Sequence, residues 1–200
     1  MNARSFAIGA LVAPIAAIAQ TRPSSFSLDG STLAVVSVTA AGERTDHTAL
    51  GGRSEFTGGL QLSVSHFINP NFGIEVATGA FAGRTWASAG THSTDFRIPV
   101  LVGGRVAPNV FSISRHIRPY LSLLAGPYMT AATTASATEH ESSLQIVPGG
   151  RAGLGIQWFL FGHALVSFES TIELTADQLA GTSTLHHRSF GFSVGAGLRK

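Results

Sequence analysis

The feature that most constrains this chain is an alternation of apolar and polar residues with a period of two. Residues 95–106 read Asp-Phe-Arg-Ile-Pro-Val-Leu-Val-Gly-Gly-Arg-Val. Phe96, Ile98, Val100, Val102, Gly104 and Val106 form one set, and Asp95, Arg97, Pro99, Leu101, Gly103 and Arg105 the other. In a β-strand two such sets point to opposite faces. The pattern recurs around Phe56–Val64, Phe72–Ala80, Ala152–Leu160, Ala164–Leu174 and Phe190–Leu198. Period two sustained over segments this long means strands and not helices. Residues 26–40 and 118–131 read as two further strands; the second is apolar on both parities, so its facing stays open. The expected number of strands is eight.

The connections differ in character. Residues 41–52, 83–94, 131–143 and 175–187 are long and polar, whereas 68–71 and 160–163 are short turns. The stretch 107–117 is longer than a turn and breaks the rule. Long loops at one end and short turns at the other predict an all-β fold, an eight-stranded antiparallel up-and-down transmembrane β-barrel.

Alternation alone leaves two solvents open. A lipocalin-like barrel in water turns its apolar face inward, and a membrane barrel inverts this. Composition decides. Charged residues are 12% of the chain, against about 25% in an ordinary soluble domain. Of the thirteen basic residues all but Lys200 are arginine, and a water-facing wall normally uses lysine freely. An arginine facing lipid at mid-bilayer costs about 2–4 kcal/mol, so the arginines belong in the lumen opposite partners. Symmetric hairpins bring Glu75 diagonally close to Arg105 and Glu173 near Arg151; Arg97 and Glu169 share the same inward parity. The expectation is a lumen closed by ion pairs, and eight strands leave no wide channel.

The N-terminus carries a second signal. Phe6–Ala19 is an apolar run behind Arg4 that ends in Ala17-Ile18-Ala19. It is short for a membrane span and has a small-x-small cleavage pattern, so residues 1–19 are expected to be a secretory signal peptide and 20–200 the barrel. The absence of cysteine excludes disulfides and thiolate metal sites. A net charge of +2 is too small to imply nucleic acid.

The chain resembles the small bacterial outer-membrane β-barrel proteins, the group that includes the OmpA transmembrane domain, OmpX and OmpW. The resembling pieces are Phe96-Arg97-Ile98-Pro99-Val100-Leu101, Arg118-Pro119-Tyr120-Leu121 with Ala125-Gly126, Gly153-Leu154-Gly155, Val166-Ser167-Phe168-Glu169 and Gly195-Ala196-Gly197-Leu198. Members of that family commonly end on an aromatic residue read by the insertion machinery, whereas this sequence closes on Leu198-Arg199-Lys200. The resemblance implies residence in the bacterial outer membrane, contact with its lipid and lipopolysaccharide, and insertion by that machinery. It implies no cofactor. The expected role is structural or interactive and not enzymatic, with the long loops meeting an unidentified external ligand. Alternatives are a narrow OmpW-like passage for small hydrophobic solutes, to which the inward Leu101 and Leu165 lend slight support, a lipid-modifying barrel enzyme and a soluble secreted binder.

Three groups of residues invite sharper readings. His187-Arg188-Ser189 is similar to the His-x-Ser pair of lipid A deacylase barrels, but no Asp or Glu follows Ser189 to orient it. His47, His92, His140, His186 and His187 fall in or beside the polar connections, where solvated histidines are the ordinary occupants; no pair has metal-binding helical spacing. Trp86, Trp158, Tyr120, Tyr128 and Phe159 suit the aromatic girdles of a membrane barrel. The glycine-rich runs 149–155 and 191–197 lack the strand-turn-helix context of a phosphate loop; on the inward parity they are expected to make room for arginine side chains.

Overall fold

The computed structural model describes residues 27–45, 53–86, 92–114, 116–135, 140–160, 163–179 and 183–200. Eight strands appear: β1 Thr32–Thr45, β2 Arg53–Phe67, β3 Phe72–Trp86, β4 His92–Val106, β5 Ile117–Ala135, β6 His140–Leu160, β7 Ala164–Leu179 and β8 Ser183–Arg199. Each pairs antiparallel with its neighbours in chain order, and β8 returns to β1 to close the barrel. Closure leaves no sheet edge, the condition for a sheet to cross hydrocarbon. At the seam the start of β1 meets Lys200, with Thr32 N and Lys200 O 2.9 Å apart and Lys200 N and Thr32 O likewise 2.9 Å apart.

The barrel is inverted relative to a water-soluble one. The outer wall carries Val38 at 63% exposure, Phe192 at 60%, and the exposed Leu60, Val102, Leu123, Leu154, Ile172 and Leu198. Inside, Glu75 is 0% and Arg105 1% exposed, beside buried Arg151, Gln61, Ser63 and Glu169. The apolar residues of this wall therefore pack outward, against whatever surrounds the barrel. A continuous apolar wall of this kind in water would be an aggregation surface; in hydrocarbon it is the low-energy arrangement.

The strands are longer than the alternation indicated. They run 14 to 21 residues, whereas a tilted crossing needs about 9–11. The ladders continue through segments expected to be loops, as in Thr45↔Arg53, Trp86↔His92, Ala135↔His140 and Leu179↔Ser183. The long connections thus become extended hairpin arms. Beyond the membrane both faces of an arm meet water, so the polar residues there carry no parity contrast.

At the other end the connections are compact. Asn69 Oδ1 accepts from the amides of Asn71 and Phe72 at 2.9 Å, a side-chain turn that fixes the β2–β3 link. The β4–β5 stretch contains a 3-10 turn at Asn109–Phe111 and a bridge between Ser114 and Ile117. Residues 27–31 are not part of a strand, contrary to the expectation for 26–40. They fold beneath the barrel, with Gly30 at φ +66° in the left-handed region that glycine tolerates.

Candidate functional site: a layered lumen

The lumen is built in layers, each supplied by inward parity positions on several strands. The layer at the short-turn end is apolar: Leu28, Leu33, Val35, Phe67, Ala107, Phe159 and Leu165 pack together with the ring of Tyr120. The segment carrying Leu28 is pinned there by Gly30 N to Phe67 O at 3.0 Å and Phe67 N to Ser31 O at 2.9 Å. Arg199 adds bonds from Nε to Ser31 Oγ at 3.0 Å and from Nη2 to Ser27 O at 2.8 Å. Arg118 knots the adjacent turns by donating to Ala107 O at 3.1 Å and Pro70 O at 2.6 Å.

Above it lies the charged layer. Arg105 donates from Nε to Glu75 Oε2 at 2.8 Å and from Nη2 to Glu75 Oε1 at 2.7 Å, the forked geometry of a strong arginine–carboxylate pair. Their Cα positions are diagonal, Glu75 opposite Gly103 and Arg105 opposite Gly73. The Arg105 guanidinium also stacks 4.2 Å from the centre of the Tyr120 ring. Tyr120 shares a hydrogen bond with Ser167 at 3.1 Å, and Ser122 donates to Glu169 Oε1 at 3.0 Å. Four strands, β3, β4, β5 and β7, thus meet in one polar cluster.

Arg151 and Glu173 occupy directly paired positions across β6 and β7. Arg151 Nη1 nevertheless donates across the lumen to Gln61 on β2. Arg97 and Glu173 line a void of about 20 Å³ with Tyr128, Thr39, Thr57 and Thr171, room for about one water. A second apolar cluster, Ala77, Leu101, Leu124, Tyr128 and Val147, fills the neighbouring level.

Two expectations need correction. Tyr120, Tyr128 and Phe159 are not girdle residues: all three are buried inside the barrel. Of the aromatics proposed for a girdle, Trp158 stands on the outer wall, and nothing is described of the Trp86 side chain. The glycines likewise make room for partners other than arginine. A Cβ on Gly155 would run into the Tyr120 ring and one on Gly153 into the Glu169 carboxylate. Sequence reasoning also passed over Gln61, Arg118, Ser122 and Ser167 as members of the lumen network.

The remaining suspects sit in strands and not in loops. His92 and His140 begin β4 and β6, and His186, His187 and Ser189 lie within β8. His47 falls outside the described residues. Ser189 is the cross-strand partner of Glu43 on one side and Glu173 on the other, so the register supplies neighbouring acids that the chain lacks downstream. Among the described residues no three His, Cys, Asp or Glu side chains gather as a metal site.

The architecture has known counterparts. Ail, the attachment invasion locus protein of Yersinia pestis, superposes with a TM-score of 0.55 at 16% identity, over 86% of this chain and 99% of that one. Neisserial surface protein A gives 0.57 at 16% identity, over 82% and 96%. The outer membrane protein OprG of Pseudomonas aeruginosa gives 0.53 at 12% identity, over 86% and 96%. The fold is that of the small outer-membrane barrels. No protein-family model and no curated protein matches the sequence. At these identities the likeness is one of architecture, and the inverted wall independently matches it to a membrane.

Proposed function

We propose that the chain is a resident barrel of the bacterial outer membrane with a structural and interactive role, its lumen plugged and its hairpin arms presented outside. The plug reading is carried by the Glu75–Arg105 fork held between two apolar layers. Leu101 and Leu165, which suggested a passage for hydrophobic solutes, belong to those packed layers and support closure instead. The decisive experiment is conductance of the refolded mature chain in planar bilayers. The expected trace is flat; sustained single-channel steps would favour a narrow transport role.

Partner chemistry follows from the rim. In sequence Arg44, Ser54 and Arg188 continue the polar ends of β1, β2 and β8, and the backbone register pairs position 44 with positions 54 and 188. Like charges directly opposite are destabilising unless something neutralises them. Arginine binds phosphate, the anionic group of lipopolysaccharide, through charge-assisted hydrogen bonds. Ail, a barrel of the same architecture, is known in complex with the heparin analogue sucrose octasulfate, and a polyanion is the ligand class that paired arginines favour here too. The Arg44→Ser/Arg188→Ser double variant is expected to retain less lipopolysaccharide during detergent extraction than the parent. Equal retention would remove this role from the pair.

A further inference from the structure

The β4–β5 connection is the irregular one at the short-turn end. It is tied to the foot of β6 by the Phe159 N to His116 O bond of 2.8 Å, and it displays Phe111 and Ile113 as exposed side chains. Between them and the outer wall lies an apolar groove of about 540 Å³. The register orders its floor: Pro119, Ile156, Phe168 and Val194 are successive cross-strand partners from β5 to β8. Leu154, Ser170 and Phe192 form the next row, and Ser170 is the one short side chain in it.

A groove of this volume falls in the range of about 300–1,000 Å³ that encloses small ligands. Here it opens onto the belt that hydrocarbon covers, so the surrounding lipid is in direct reach of it. We propose that it seats one acyl chain of a phospholipid, clasped between the overhanging Phe111 and Ile113 and the β5–β8 wall. The inference rests on the membrane-barrel reading. The start of β1, the end of β8 and the short turns lie at this end, which makes it the periplasmic side; the donor is therefore inner-leaflet phospholipid and not lipopolysaccharide. The overhang turns one stretch of ordinary lipid contact into a two-walled site, from which a chain exchanges more slowly than from the open wall.

The test is native mass spectrometry of the refolded mature chain in detergent micelles supplied with phosphatidylethanolamine. One phospholipid adduct is expected to survive detergent removal in the parent and in Val64→Phe, which alters the outer wall on β2. The adduct is expected to be lost in Ser170→Phe, which fills the floor, and in Ile113→Asp, which makes the overhang polar. Each variant is first shown to be folded by its heat-dependent shift on gels. A folded parent without an adduct, or an adduct indifferent to Ser170→Phe, overturns the proposal. Preferential retention of lipopolysaccharide overturns the choice of leaflet and of donor. A parent that never forms a heat-modifiable barrel in micelles contradicts the membrane reading itself, and the groove proposal falls with it.

Discussion

Arg105 shows what a single residue contributes in this fold. Its charge is buried, its fork is filled by Glu75, and its flat face lies on Tyr120. Replacing it with leucine leaves the Glu75 carboxylate buried without its partner, a change that costs about 3–5 kcal/mol. Arg105→Leu is therefore expected to lower the urea midpoint of the barrel in lipid vesicles strongly. The Glu75→Leu/Arg105→Met double variant removes both charges and is expected to recover most of the loss, as read by the same titration; a double variant as unstable as the single one would contradict the pairing. The diagonal placement of Glu75 and Arg105 was legible because one hairpin carries both, and hairpin symmetry is local information. Gln61 as the acceptor for Arg151 was not legible, because β6 and β2 meet only across a closed lumen. Tyr120 was misread for a related reason: residues 118–131 are apolar on both parities, since β5 turns an apolar outer wall to lipid and Tyr120, Leu124 and Tyr128 to the apolar part of the lumen.

The strands themselves illustrate where a two-residue period stops being informative. Between Ala164 and Leu174 one side meets lipid and the other the lumen, and the alternation is clear. From Thr175 to Leu179 the β7–β8 ladder continues through Ala176↔His186 and Asp177↔Leu185, but polar residues occupy both parities and the stretch reads as loop. Backbone hydrogen bonding, invisible in side-chain pattern, extends the element. An epitope inserted after Ala176 is therefore expected to disrupt the ladder and abolish the heat-dependent gel shift, while the same insertion after Gly181 leaves it intact. Equal tolerance at both positions would mean that residues 175–179 are not held in the ladder. The β4–β5 stretch was recognised as too long for a turn, yet its 3-10 turn and its approach to β6 depend on tertiary contacts such as Asn109 N to Asn71 Oδ1 at 2.9 Å.

At the scale of the whole molecule, the defining property is the inversion of inside and outside. Eight strands close without an edge, the outer wall is apolar, and Glu75 and Arg105 pair inside the lumen between two buried apolar clusters. Each property depends on the others, because an apolar wall is stable only in lipid and an arginine-lined lumen only when closed. The most direct test is migration of the detergent-refolded barrel, residues 20–200, on SDS gels with and without boiling. A closed membrane barrel resists SDS until heated, so the unboiled sample is expected to run as a distinct band that converts on boiling. A single band unchanged by heat, from a chain that stays in solution without detergent, would contradict the inversion and require the apolar faces to turn inward.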